Sequence, residues 1–154
     1  MLIWTMEETL PKELMCNLIS LQYLKIYYCC GPLPLSRHLT ALQNLSVLGS
    51  KEVDLTNDGD EMEWHGLQSL RNLDFYNLPN LATLPVWIQH LTSLQRIQIA
   101  RCPSLSAIPE WIRNLTSLQT LQISGGPILS KRCEREAGED WSKIEHIPDL
   151  RIDR

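Results

Sequence analysis

Leucine and isoleucine return along this chain at fixed distances. From Leu91 the apolar positions are Leu91, Leu94, Ile97, Ile99, Cys102, Leu105, Ile108 and Ile112. The same series starts at Leu67, and from Leu115 it runs through Leu118, Leu121 and Ile123 to Leu129 with Gly126 in the Cys position; the three starting leucines stand 24 residues apart. The Leu/Ile-x-Ile step alternates apolar with polar side chains. It predicts a strand with Ile97 and Ile99 inward and Arg96, Gln98 and Ala100 outward. Cys102 follows where the chain must turn, and its side chain can bond backbone groups that the turn leaves unpaired. Pro109 suits the first position of a helical turn, because a missing N–H costs nothing there. Ile112 and Leu115, three residues apart, close the unit on one helical face.

Two earlier copies are less regular. Leu18, Leu21, Leu24, Ile26 and Cys29 form one; Leu39, Leu42, Leu45 and Val47, then Val53 and Leu55, form the other. Residues 9–18 read like 83–91, as the second half of a unit whose strand half is missing or degenerate. The chain thus divides into a partial leading repeat (1–17), five repeats starting near 18, 39, 67, 91 and 115 (18–130), and a C-terminal cap (131–154). An acidic insertion occupies 51–66. In the cap 13 of the last 24 residues are charged, and Trp141, Ile144 and Ile147 are spaced for one short helical stretch before Pro148. The leading edge near Leu10 and Leu14 shows no polar cap. The chain is therefore expected to be the tail of a longer stack of repeats and to self-associate when isolated.

The pattern LxxLxxLxIxxCxxLxxLPxWIxx resembles the leucine-rich repeat, whose period is roughly 20–29 residues. The resemblance implies an α/β solenoid, with a curved parallel sheet on the concave face and short helical or irregular turns on the convex face. Composition agrees. The chain has 27 Leu and 13 Ile against 3 Val and 1 Phe, as expected if one kind of inward slot is filled many times. No single repeat can bury its apolar wedge alone, so the repeats must stack.

Charge and special residues mostly exclude. The net charge is −4 and no basic tract occurs, which argues against a phosphate-tracking role on nucleic acid. No apolar run approaches the roughly 18 residues needed to span a bilayer. The N-terminal stretch carries three Glu and no basic region, unlike a signal peptide. The cysteines are odd in number, two are adjacent, and none forms CxxC, so reduced thiols in a cytoplasmic protein are expected. Neither HExxH nor a defensible Ser/His/Asp order is present, and the chain is expected not to be an enzyme and to hold no metal or cofactor. Asp54 to His65 touches the EF-hand pattern but fails at Thr56 and at His65, where a bidentate Glu is needed. Trp87 and Trp111 recur beside Ile88 and Ile112 and are read as packing residues, and His90 as solvent-facing.

Residues 84–105 and 108–129, LPVWIQHLTSLQRIQIARCPSL and IPEWIRNLTSLQTLQISGGPIL, resemble the C-terminal repeats of plant intracellular nucleotide-binding leucine-rich-repeat disease-resistance proteins of the coiled-coil type. The ending KRCEREAGEDWSKIEHIPDLRID and the insertion NDGDEMEWHGLQSLRNLDF are similar to that family too. The resemblance covers about residues 10–154. It implies a cytoplasmic immune-receptor module that recognises a pathogen effector or a guarded host protein and helps hold a nucleotide switch off. No GxxxxGK[ST] occurs, so this chain is not expected to bind nucleotide itself. A stand-alone intracellular adaptor or scaffold is the alternative. An extracellular ectodomain would call for a signal peptide and paired cap cysteines.

Outward strand positions are the candidate binding face. They are Tyr23, Lys25 and Tyr27; Asn44, Ser46 and Leu48; Asn72, Asp74 and Tyr76; Arg96, Gln98 and, at the edge, Arg101; Thr120, Gln122 and Ser124. Exposed Tyr and Arg on a rigid scaffold are frequent binding anchors. Tyr27, Tyr76 and Arg96 are expected to contribute most.

Overall fold

A computed structural model describes residues 2–5, 19–28, 30–32, 37–50, 52–54 and 64–153. The architecture is α/β: one all-parallel sheet with few, short helices. Seven strands lie in the order β1 (Leu2–Thr5), β2 (Tyr23–Tyr27), β4 (Asn44–Leu48), β6 (Asn72–Tyr76), β7 (Arg96–Ala100), β8 (Thr120–Ser124) and β9 (Asp149–Ile152). β3 (Cys30–Pro32) and β5 (Glu52–Asp54) make a separate two-stranded parallel pair. Residues 6–18 and 55–63 lie outside the described residues. So do Leu10 and Leu14 of the expected leading edge, and most of the candidate calcium loop.

Every strand of the main sheet is in register with its neighbours. Leu24, Leu45, Leu73, Ile97, Leu121 and Leu150 form one inward row, and Ile26, Val47, Phe75, Ile99, Ile123 and Ile152 a second. The first five residues of each row are buried, and Leu150 and Ile152 pack partly buried against the same core. The leucine pairs before each strand close tight turns: Leu42, Leu70, Leu94 and Leu118 donate to the carbonyls of Leu39, Leu67, Leu91 and Leu115. One carbonyl per unit then accepts two amides of the next unit. Gln43 O takes Arg71 and Asn72, Arg71 O takes Gln95 and Arg96, and Gln95 O takes Gln119 and Thr120. These bonds fix where each strand starts and give the backbone groups of the turns partners.

On the far side, 3-10 turns occupy Trp64–Leu67, Val86–His90 and Glu110–Asn114. Pro85 and Pro109 stand one residue before these turns instead of inside them, and their carbonyls accept Ile88 and Ile112 N–H at 3.2 Å. Only five residues separate each proline from the next leucine anchor, so the tighter i→i+3 helix fits. Trp87 is buried and Trp111 is partly buried against the core, as packing residues are expected to be; His90 is exposed. Cys102 is buried with its Sγ 3.5 Å from the Ala100 carbonyl and 4.0 Å from that of Phe75.

Both ends of the sheet hold more than the repeat pattern predicts. Leu2–Thr5 forms a strand in register with β2, so the leading unit does not lack its strand. The segment 131–154 ends in β9, which pairs with β8 through Leu121↔Leu150 and Ile123↔Ile152. The reason is visible in the spacing. Ile144, Ile147, Leu150 and Ile152 repeat the intervals of Leu115, Leu118, Leu121 and Ile123. Ile147 donates to Ile144 O at 2.9 Å, as Leu118 does to Leu115 O at 3.0 Å. A short helix spans Trp141–Ile144 and stops before Ile147, and a second short helix that the spacing does not predict spans Pro127–Arg132.

A buried carboxylate ties this last unit down. Asp140 is 0% exposed. Its Oδ2 accepts Arg132 Nε at 3.0 Å and the Ile108 amide at 2.9 Å, and its Oδ1 accepts Arg132 Nη2 at 3.1 Å. Lys143 Nζ lies 2.8 Å from Oδ1 and also donates to the Ile108 carbonyl. Arg132 further bonds exposed Glu139, and Lys143 pairs with exposed Glu110. Gly138 permits the tight loop between them: a Cβ there would lie 2.1 Å from the Arg132 carbonyl oxygen, which accepts the Asp140 amide. Gly138→Ala is therefore expected to cost about 1–3 kcal/mol by overpacking backbone against backbone. Chemical denaturation would read it as a lowered midpoint with an unchanged m-value.

Candidate binding face

The outward positions of the six strands β2, β4, β6, β7, β8 and β9 form three rows across the sheet. Tyr23, Asn44, Asn72, Arg96, Thr120 and Asp149 make the first. Lys25, Ser46, Asp74, Gln98, Gln122 and Arg151 make the second, and Tyr27, Leu48, Tyr76, Ala100 and Ser124 the third. All fifteen sequence candidates are placed: fourteen on one face and Arg101 just past the end of β7. Asp149 and Arg151 join the face with β9. The repeat pattern does not include them, because the charged composition of their segment reads as a cap.

Among the described residues two outward positions are not accessible. Ser46 is 7% exposed, and Ala100 is 5% exposed although the alternation points it toward solvent. Both are short side chains between larger row neighbours: Ser46 between Lys25 and Asp74, Ala100 beside Tyr76. Several polar neighbours bond one another across strands. Asn72 Nδ2 donates to Asn44 Oδ1 at 2.7 Å, and Ser46 Oγ to Asp74 Oδ2 at 2.9 Å. Arg96 Nη2 donates to Gln98 Oε1 at 3.0 Å and Gln122 Oε1 at 3.3 Å, and Arg96 Nε is enclosed without an acceptor. Such cross-strand bonds pre-order the side chains, which lowers the entropy lost when a partner docks. Asp149 is held below the usual carboxylate range, chiefly by Arg151 and with smaller help from Thr120 and Arg96.

A feature that the spacing does not reveal lies just past the strands. Tyr28, Gly49, Asn77, Arg101 and Gly125 all adopt a left-handed backbone, with φ between 53° and 66°. Each of the first four donates its amide to the end of the next strand: Tyr28 to Leu48, Gly49 to Tyr76, Asn77 to Ala100 and Arg101 to Ser124. The single left-handed residue thus lets the chain turn away without losing the sheet bond. Glycine and asparagine adopt this conformation readily, whereas Tyr28 and Arg101 accept a cost of roughly 1–2 kcal/mol each. Glycines and an asparagine five residues past each strand start are the available signal. At Gly49 the missing side chain also leaves room for the neighbouring ring, since a Cβ would stand 2.8 Å from Tyr28 Cε1.

The result is an aromatic edge. Tyr28 and Tyr76 are exposed at 62% and 37%, and Tyr23, at the other end of β2, at 45%. Tyr27 and Tyr28 have ring centroids 6.5 Å apart, and the Arg101 guanidinium sits 5.5 Å from the Tyr76 ring, at cation–π distance.

Other places offer less. Among the described residues no group of three or more His, Cys, Asp and Glu could hold a metal ion, and no helix is long and apolar enough to cross a membrane. Cys102 and Cys133 are buried; burial raises both thiols, Cys133 to about 12 with help from Asp140, so neither is an activated nucleophile. A depression of about 610 Å³ at the C-terminal end, bordered by Trp141, Ile147, Pro148 and Leu150, is open to solvent. Compared with family models and with curated proteins, the chain gives no match to either.

Proposed function

We propose that the chain is a leucine-rich-repeat solenoid that serves as a protein-recognition module, and that it belongs to a plant intracellular disease-resistance receptor of the nucleotide-binding, coiled-coil type. The observation that carries the recognition role is the face itself: in-register outward rows, cross-linked by their own hydrogen bonds, over a continuous Leu/Ile core. The LPxWI repeats and the GEDW ending support the receptor assignment. In such a receptor the partner is a pathogen effector or a guarded host protein, and the same repeats help hold the nucleotide switch off. A stand-alone intracellular scaffold shares the recognition role without the switch. Sequencing the transcript upstream separates the two, because the receptor reading requires an in-frame nucleotide-binding domain containing GxxxxGK[ST]. The location proposed is cytoplasmic, and no catalytic role is proposed.

The triple variant Tyr27→Ala, Tyr76→Ala and Arg96→Ala is expected to weaken a cognate partner by at least about tenfold, as hot-spot loss does. Titration calorimetry giving an affinity within twofold of the parent would sink the concave-face reading.

A further inference from the structure

We infer that the partner bound by this face is an acidic protein segment, lying extended across the strands with carboxylates on Lys25, Arg96 and Arg101. This rests on the recognition role proposed above and names the chemistry of the partner.

The charge balance of the face is opposite to that of the chain. The chain carries net charge −4. On the face, both carboxylates are already engaged: Asp74 accepts Ser46 Oγ, and Asp149 is bonded by Arg151 at 2.8 Å and faces Thr120 Oγ1 at 3.4 Å. Three cations are left over. Among the described residues Lys25, Arg96 and Arg101 have no carboxylate within ion-pair distance.

Arg96 is the informative member. It is half-buried at the start of β7, held by two glutamine oxygens that orient it but carry no countercharge. Asp149 feels its charge but makes its bonds elsewhere. A partly desolvated, pre-oriented guanidinium attracts an incoming carboxylate more strongly than a fully solvated one. Arg101 is similarly held, against Tyr76, and Lys25 stands exposed beside Tyr23 and Tyr27 on β2.

The spacing selects an extended segment. From β2 to β7 there are three strand intervals, about 14 Å, which about four residues of extended chain span. Lys25 is in register with Gln98, two residues along the strand from Arg96, so the diagonal is about 16 Å and acidic residues four or five positions apart would meet Lys25 and Arg96 together. A nucleic-acid strand fits less well. Its phosphates need a continuous cationic track, whereas Asp74 stands in register between Lys25 and Gln98, and the whole chain is acidic.

Fluorescence anisotropy on the full chain tests this with labelled 12-residue probes. One carries Glu at every fourth position between Ser and Thr; the others replace Glu by Gln or by Lys, and a fourth is a twelve-residue oligothymidylate. The Glu probe should bind at least tenfold more tightly than the Gln and Lys probes and weaken as salt rises. Arg96→Gln should weaken it at least fivefold and Lys25→Gln or Arg101→Gln about threefold, with Arg96→Lys within threefold of the parent. Lys131→Gln and Arg135→Gln should stay within twofold. The inference is overturned if the Glu probe does not bind, if the Gln probe or oligothymidylate binds as well, or if Arg96→Gln remains within twofold. A cognate partner that protects β4–β8 from hydrogen exchange, with unchanged affinity for Arg96→Gln, would overturn the acidic class and leave the recognition face standing. Protection confined to the 3-10 turns would overturn both.

Discussion

Asp140→Ala should cost about 3–5 kcal/mol, a large share of the roughly 5–15 kcal/mol by which a domain is stable. The substitution removes a carboxylate with no exposed surface that joins three parts of the chain: the Ile108 amide in one unit, Arg132 in the helix before it and Lys143 in the helix after it. As counterions Arg132 and Lys143 would keep only exposed Glu139 and Glu110, whose screened attraction compensates little. Asp140→Asn keeps the shape but loses the charge, and should fall between parent and Ala. Changing Asp140 to Leu together with Arg132 and Lys143 to Met should recover part of the loss. The Ile108 amide would still lack an acceptor, at about 1–3 kcal/mol, so recovery should stop short of the parent. Urea titrations of the four proteins give this order; full stability in Asp140→Ala would refute the account.

The same carboxylate sets an acid limit. Burial by itself would raise its pKa, but bonds from Arg132, Lys143 and the Ile108 amide outweigh burial and hold it at about 2, against an ordinary 3.8. A depressed value means that the ionised form is preferred by the folded state. Its stabilisation is fully present above about pH 4 and is lost as the pH falls through about 2. The gap corresponds to about 2 kcal/mol. Thermal melts of parent and Asp140→Asn should converge as the pH drops from 5 to 2. Parallel curves would show that this group is not responsible.

Phe75→Ala is expected to cost a similar amount, about 3–5 kcal/mol. Phe75 is the chain's one phenylalanine and is completely buried. From β2 to β9 its row otherwise holds Ile26, Val47, Ile99, Ile123 and Ile152, so the largest side chain of these strands stands next to the smallest. Complementary volumes of this kind predict that Phe75→Leu costs under about 1.5 kcal/mol, whereas Val47→Phe beside an unchanged Phe75 costs about 1–3 kcal/mol by overpacking. If Phe75→Ala unfolds at the parent's denaturant midpoint, the packing argument fails.

Much of this architecture can be read directly from spacing. Leu73, Ile97 and Leu121 are inward and in register because a 24-residue repeat puts the same apolar alternation at the same place in every unit, and the burial of a Leu/Ile wedge tolerates no slip. The outward set follows from the same alternation, which is why Tyr23, Lys25, Asp74, Arg96 and Gln122 can be named from the sequence alone. The two ends depart from that reading for related reasons. At the C-terminus a charged composition hides an intact LxxLxxLxI spacing, and at the N-terminus Leu2–Thr5 is too short to show a period.

What the sequence determined by itself is the part governed by local alternation and by repetition: which residues point inward, where each strand begins, and that the units stack. Tertiary structure alone decided what depends on residues far apart in the chain. Asp140 meets Ile108 across 32 positions, Arg96 meets Gln122 across 26, and Ser46 is covered by neighbours that belong to other strands. Periodicity reports the direction of a side chain relative to its own backbone. Whether that side chain is paired, covered or left as a free charge depends on the lateral neighbour, and only the stacked sheet supplies that neighbour.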